Sequence, residues 1–539
     1  MSRRERVLSM PVVPWPERRR QIETQPLPPS VPALLAEAAA SAPDVVALDF
    51  FEDAHRLTYA ELSAEVEALA AALMARGVDR ATHVGVMLPN VISFPVTWLA
   101  LARLGAVMVP INGAFTTREL SYVLSDADVG LLIMDESYVP TFSAISEQLA
   151  PLPVIVHDGF RTERWASLLA QGAATKLPPC PAGHADLLNI QYTSGTTGFP
   201  KGCMLSHLYW LIIGKVNATR DGRDFRRILA ATPFFYMDPQ WQTMMTFYLR
   251  ATLFVARRPS ASRFMGWVQR HRIQFALLPE IVHKQPPKAD DADNEIIRVN
   301  CYGLSHKNHA QIEARFDLVC REAFGMTEVG SVLFVPMEAT ETVGTGTCGL
   351  PVPYRETRIV DSDRADVAVG EIGELIVRGP GILQGYYKNP AATADALRDG
   401  WFHTGDLFRK NSAGYHTIVG RKKDMIRRAG ENISAREVEA VLLAMPEIAE
   451  VAAVPVPDPE RDEEVKVLVR LQAGLTRADL PPELIIAHCA ANLAKFKVPR
   501  YVKYVESLPL TSSGKIAKHL LVAGDWQVDV YDRVDGAWR

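Results

Sequence analysis

The chain has 539 residues, room for about three and a half domains or subdomains at roughly 150 residues each, so a single small module is excluded. Its 58 lysines and arginines against 62 aspartates and glutamates leave a net charge of −4, and no bulk field recruits nucleic acid or anionic lipid. With 48% hydrophobic and 22% charged residues, the composition is that of a globular protein whose core needs no staples, which excludes extensive disorder and collagen-like repeats.

The opening stretch, MSRRERVLSMPVVPWPERRR, is basic but lacks the continuous apolar segment of a secretory signal. It reads as a mobile basic arm of residues 1–30. Leu62, Val66, Leu69, Ala70 and Leu73 then follow helical spacing, with Gly77 as the stop. Val84 to Leu88, a helical run through Leu99 and Leu104, and Val107 to Ile111 alternate as βαβ units do. The most apolar stretch, Val96 to Ile111, includes Arg103 and falls short of the roughly 20 residues that cross a bilayer. Six scattered cysteines without a C-x-x-C pair argue against zinc, iron–sulfur or disulfide frameworks and fit a reducing cytoplasm. Residues 284–294 and 338–349 read as surface loops. Beyond about residue 424, Ser434 and Glu437 read as a capping box opening a helix, Val465 to Leu471 as a half-buried strand, and Leu484 to Leu493 as a second helix. The expected fold class is α/β, with an arm (1–30), a large domain (31–421) and a small α+β C-terminal domain (422–539) joined by a charged connector.

Residues 191–202 read Q-Y-T-S-G-T-T-G-F-P-K-G. The hydroxyls of Thr193, Ser194, Thr196 and Thr197, with Gly195 and Gly198 allowing close approach of backbone N–H groups, make a phosphate cradle, and Lys201 adds a compact positive charge. A Walker A loop needs Gly before and Ser or Thr after its lysine; here Pro200 precedes and Gly202 follows, so no helix starts there in the P-loop manner. Three further strings follow: A-F-G-M-T-E-V-G at 323–330, G-W-F-H-T-G-D-L at 400–407, and P-L-T-S-S-G-K-I at 509–516, with G-R-K-K-D at 420–424.

Together, in this order, these strings resemble the signatures of adenylate-forming enzymes: acyl-CoA synthetases, peptide-synthetase adenylation domains and beetle luciferases. The resemblance runs from about residue 30 to about 522. It implies a large N-terminal domain of sheets flanked by helices plus a small mobile C-terminal domain, with ATP, Mg²⁺ and coenzyme A as cofactor and co-substrates. It assigns Thr193 and Glu328 to Mg²⁺, Thr327 to the α-phosphate, and Phe324, Gly325 and Met326 to the nucleotide. Asp406 is assigned to the ribose, where a carboxylate accepts from both hydroxyls, with Arg421 beside it. Lys515 becomes the catalytic cation, stabilising the charge that gathers at the α-phosphate, and Lys423 the hinge. Ala429, Gly430 and Glu431 would face pantetheine, and Phe496 and Arg500 the nucleotide of coenzyme A by stacking and phosphate pairing; packing in the core is the alternative for Phe496, and a solvated connector the alternative for the 421–428 cations.

Two departures stand out. The family's Gly-Ala-Pro stretch beside adenine is Cys301-Tyr302-Gly303 here, and Tyr236 replaces the usual histidine of the aromatic substrate element. From that element, Tyr236, Trp241 and Met244 are the expected acyl contacts, with core packing as the alternative. Within the family the chain looks most like crotonobetaine/carnitine-CoA ligases, through R-R-x-G-E-N-x-S, R-D-E at 461–463 and N-L-A-K-F-K-V-P; an aromatic wall would hold a quaternary ammonium at about 0.5–2 kcal/mol per ring. The reading is therefore a cytoplasmic, AMP-forming acyl-CoA ligase for a small carboxylic acid, without nucleic-acid partner or transmembrane segment, and with a homo-oligomer left open. Three alternatives differ from it: an aryl- or medium-chain acyl-CoA ligase, an adenylation enzyme loading a carrier protein, and a non-catalytic nucleotide-binding protein.

Overall fold

The computed structural model describes the chain except residues 161, 174, 194–199, 305, 429–430, 511–515 and 523–527, and the side chains of 423, 431, 432 and 519. Among the described residues the strands form three sheets, of fourteen, seven and six strands. The six-stranded sheet is parallel through Val154–His157, Val129–Asp135, His83–Met87, Val107–Pro110 and Leu187–Thr193, and closes with Lys201–Ser206 antiparallel. The largest sheet has a parallel centre, in which Arg227–Ala230, Phe275–Leu277, Arg298–Cys301 and Cys320–Met326 lie side by side, and an antiparallel wing that includes Trp401–Lys410 and His416–Arg421. The helices Tyr59–Met74, Ser93–Leu104, His207–Thr219 and Met237–Leu249 contribute to the main apolar core.

The first of these helices begins where Thr58 and Glu61 cap each other reciprocally and ends at Met74, with the Gly77 turn just beyond. Residues 284–294 carry no regular element, as expected, whereas 338–349 contain a 3-10 turn, Thr340–Thr342, and the start of the strand Thr347–Pro351.

The arm is not free. It forms the helices Arg3–Ser9 and Trp15–Thr24, and its basic residues meet acceptors on the large domain. Backbone N–H groups of Arg3 and Arg4 donate to Asp317 at 2.6 and 3.3 Å. Arg18, almost fully buried, donates to the Arg220 carbonyl at 2.7 Å and pairs with Glu338 at 2.9 Å. The Trp15 ring meets Phe334 edge-on at 4.5 Å, and Lys215 donates to the Gln25 carbonyl at 2.7 Å just past the second helix. Cationic composition alone suggested mobility; matched acceptors and a half-buried aromatic overcome the ordering entropy.

The small domain packs its own core, from Ile426 and Val438 to Val465, Val467 and Ile485, onto the seven-stranded sheet. The expected capping box forms by half. Ser434 accepts from the Glu437 N–H at 3.4 Å, but its hydroxyl donates to the Val419 carbonyl at 2.6 Å across the domain junction, and the Glu437 carboxylate is taken by Lys497 at 2.7 and 2.8 Å.

Candidate active site

The carboxyl ends of parallel strands open a crevice where ligands of α/β sheets bind, and here Arg298–Cys301 and Cys320–Met326 end side by side. The second strand turns back at residues 327–329 into Gly330–Phe334. The turn explains its glycine: a Cβ on Gly325 would lie 2.6 Å from the Gly330 carbonyl oxygen, so only glycine lets the two backbones approach. Thr327 and Glu328 are thereby held at the tip. The Thr327 hydroxyl donates to the Met237 sulfur at 3.6 Å, which joins this turn to the substrate element.

Glu328 accepts from the Tyr386 hydroxyl at 3.1 Å, and its carbonyl accepts from Leu383 N–H at 2.7 Å. Segment 384–387 runs alongside the Lys201–Ser206 strand through the bonds Met204 N–H to Gly385, Gln384 N–H to Met204 and Tyr387 N–H to Gly202. The Lys201 ammonium consequently lies over the Tyr386 ring, 4.6 Å from its centroid. Burial, reinforced by the Glu328 charge, pushes the Tyr386 hydroxyl well above its ordinary range, so it stays a proton donor. Thr193 stands opposite Lys201 in the antiparallel pair, and Lys201 opens a strand rather than a helix. Ser194, Gly195, Thr196, Thr197 and Gly198 themselves lie outside the described residues.

Asp406 and Arg421 are direct cross-strand partners, with Arg421 Nε donating to Asp406 Oδ1 at 2.9 Å. The strand Trp401–Lys410 alternates strictly, and Asp406 falls on its buried face between Thr404 and Phe408, 2% exposed. Phe324 meets Phe408 edge-on at 5.0 Å, so this pair borders the same crevice. Nearby, Glu374 accepts from Gly405 N–H at 3.0 Å and Lys422 at 3.2 Å. Burial works against its charge, but His403 and Lys422 outweigh that and hold it below the ordinary carboxylate range.

The 302–304 loop follows Arg298–Cys301. Tyr302 is 50% exposed, and Gly303 has φ +68°, a backbone that side chains disfavour. Glu322 fastens this loop, accepting from Gly303 N–H at 3.2 Å and Leu304 N–H at 2.6 Å. Neither Glu322 nor Tyr386 was singled out in the sequence; both owe their place to pairing between distant segments, and no spacing rule marks them.

The substrate element divides. Tyr236 precedes the helix Met237–Leu249, half-buried, with its ring 4.5 Å from Phe235. Trp241 and Met244 are buried in the main core cluster, the alternative weighed for them. Trp241 is 2% exposed and donates to Asp238 at 3.1 Å. Met244 sits in a helix–helix seam so tight that a Cβ on Gly214 would come within 2.4 Å of its own Cβ.

In the small domain, Lys423 lies in the single 3-10 turn Lys422–Asp424 at the junction. Phe496 is half-buried against the domain core, the alternative weighed for it. Arg500, expected to meet phosphate, is engaged by Asp458 at 2.9 Å and by both oxygens of Asp532 at 3.2 Å. Lys515, Ala429 and Gly430 and the side chain of Glu431 lie outside the described residues. Among the described residues no cluster of three or more His, Cys, Asp or Glu forms a metal site, and no helix is long and apolar enough to cross a membrane.

Comparison with known proteins agrees with this arrangement. The AMP-binding enzyme family matches residues 35–387, and the AMP-binding enzyme C-terminal domain matches residues 437–515. Crotonobetaine/carnitine–CoA ligase of Escherichia coli is 32% identical over 86% of this chain and 92% of its own length. ATP-bound MatB from Rhodopseudomonas palustris superposes with a TM-score of 0.81 at 27% identity, covering 91% of this chain and 98% of that one. The Bacillus subtilis o-succinylbenzoate CoA synthetase, in complex with its acyl-adenylate, shares the fold with a TM-score of 0.80 at 22% identity, covering 93% and 99%. Two family profiles, a full-length relative and a crevice with the motifs in contact lead to one assignment: the chain belongs to the AMP-binding enzyme family, among its acyl-CoA ligases.

Proposed function

We propose that the protein joins a small carboxylic acid to coenzyme A in two steps at this crevice. In the first, a carboxylate oxygen attacks the α-phosphorus of ATP, the bond to the bridging oxygen breaks, and pyrophosphate leaves. In the second, the thiol of coenzyme A attacks the acyl carbonyl and AMP leaves. The observation that carries the reading is Tyr386, which touches both Glu328 and Lys201 and so joins motifs more than a hundred residues apart into one polar rim. Lys201 makes no ion pair among the described residues, leaving its charge for phosphate.

In this reading Asp406 accepts from the ribose hydroxyls while Arg421 orients it, Tyr302 and Gly303 border the base, and Lys515 neutralises charge at the α-phosphate. Glu328 and the Thr193 hydroxyl suit Mg²⁺, which takes one or two protein oxygens and completes its shell with water and substrate phosphates. Bound there, the ion would supply Lewis-acid neutralisation of the departing pyrophosphate. Lys423 serves as hinge, and Ala429, Gly430, Glu431, Phe496 and Arg500 as the coenzyme A side. For Arg500 that role requires it to share its charge with Asp458 and Asp532. The ligase relative supports a carnitine- or crotonobetaine-like acid, whose cationic acyl group the half-buried Tyr236 ring would suit by cation–π attraction. Cysteines left as free thiols, with co-substrates of this kind, support a cytoplasmic reaction.

Pyrophosphate release across a panel of acids, with and without coenzyme A, tests the reading. Acid-dependent release with thioester formation supports it; release without use of free coenzyme A points to a carrier protein; no release with any acid overturns it. Lys515→Ala is expected to lower the adenylation rate about 10²–10³-fold.

A further inference from the structure

We infer that Glu322 and Arg436 are positioning residues through which the placement of the small domain acts on the 302–304 loop. The inference rests on the ligase reading of the crevice.

Glu322 is 5% exposed, and each of its oxygens accepts one loop N–H, from Leu304 at 2.6 Å and from Gly303 at 3.2 Å. The ionised carboxylate offers a strong acceptor to each, whereas the hydroxyl oxygen of the protonated form accepts poorly. Protonation turns one oxygen into a donor, leaves one N–H poorly matched and loosens the loop that borders the base. Burial pushes the Glu322 carboxyl up to about 7, so the two states lie close in energy at neutral pH.

The groups facing Glu322 pull in opposite directions. Glu280, on the 3-10 turn Glu280–Val282, disfavours the charge, and Arg436 favours it. The thiols of Cys301 and Cys348 also face it and are kept protonated chiefly by contact with Cys320 and by burial respectively. Arg321, the neighbour of Glu322 in the strand, turns to Glu313 at 2.5 Å and the Met337 carbonyl. Arg436 differs in belonging to the small domain, on the helix Ala435–Leu442. Its guanidinium overhangs the loop so closely that a Cβ on Gly303 would lie 3.6 Å from Nη2. It is exposed and has no ion pair among the described residues. A small domain that turns away withdraws this cation and raises the cost of ionising Glu322, so pH and domain placement act on the same two hydrogen bonds.

The test is the affinity of the full chain for MgATP by titration calorimetry from about pH 6 to about pH 8.5, bracketing the value near 7. The unaltered protein is expected to bind roughly tenfold more weakly as pH falls through that value, the size of one lost hydrogen bond to a charged group. Glu322→Gln is expected to bind weakly at every pH, without the transition. Arg436→Met, an exposed change that leaves the melting temperature in place, is expected to move the transition to higher pH. A Glu322→Gln protein that keeps the transition, or an Arg436→Met protein whose midpoint stays put, overturns the inference alone. Absence of MgATP binding by the unaltered protein at every pH overturns the ligase reading and the inference with it.

Discussion

Tyr386 shows how one side chain assembles a site. Its hydroxyl holds Glu328 while its ring carries Lys201, so the two functions separate by substitution. Tyr386→Phe keeps the ring and removes the donor. Losing a hydrogen bond to a charged group costs about 1.5–3 kcal/mol, and the expected outcome is a kcat/KM for ATP lowered about 10–100-fold with the melting temperature nearly unchanged; unaltered kinetics would mean that the bond does not position Glu328. At this scale the motif residues were legible because each string is an uncommon combination, with a carboxylate on the buried face of an alternating strand at Asp406 and a glycine where two backbones approach too closely for a Cβ at Gly325. Tyr386 and Glu322 were not, since an aromatic or acidic residue acquires such a role only from what folds against it.

Elements repeat the lesson. The Ser434–Glu437 spacing correctly announces a helix start, yet the reciprocal half of the cap is lost, because Lys497 offers Glu437 a charge-assisted partner while the Ser434 hydroxyl donates to the Val419 carbonyl. The substrate helix likewise shows aromatic density at helical spacing, and two of its three expected contacts turn inward, since spacing defines a face without saying what covers it. The turn Lys422–Asp424 links the domains with little structure of its own. Lys423→Pro fixes one φ there and is expected to leave pyrophosphate release intact while blocking thioester formation. The two products measured separately decide it, and parallel loss of both steps removes Lys423 from the hinge.

The whole molecule adds a pH dependence that no motif announces. Burial pushes His207 and His416 down to about 4, well below the ordinary value near 6.5. Each must stay neutral in the fold, so between about pH 6.5 and pH 4 the unfolded chain binds more protons and stability falls as the solution is acidified. His207, which accepts from the Val31 N–H at 3.2 Å, is the clearer probe. In His207→Gln, the loss of melting temperature across that window is expected to shrink, whatever the change at neutral pH; a window loss equal to that of the unaltered protein assigns the acid limb to other groups. The docked arm belongs to this scale too, because it meets the large domain through partners 202 and 314 residues away along the chain.

By itself, the order of residues determined the α/β class, the two family regions, the departure of the 191–202 string from a P-loop and the positions of Thr327, Glu328, Asp406 and Arg421, because those depend on local backbone demands and on strings too specific to arise in an ordinary loop. Only the tertiary structure decided that the arm docks, that Trp241 and Met244 serve the core, that Arg500 is shared between two carboxylates and that Tyr386 and Glu322 stand at the crevice. The physical reason is the same in each case: charge pairing and burial are properties of a neighbourhood, and neighbours distant along the chain are chosen by packing.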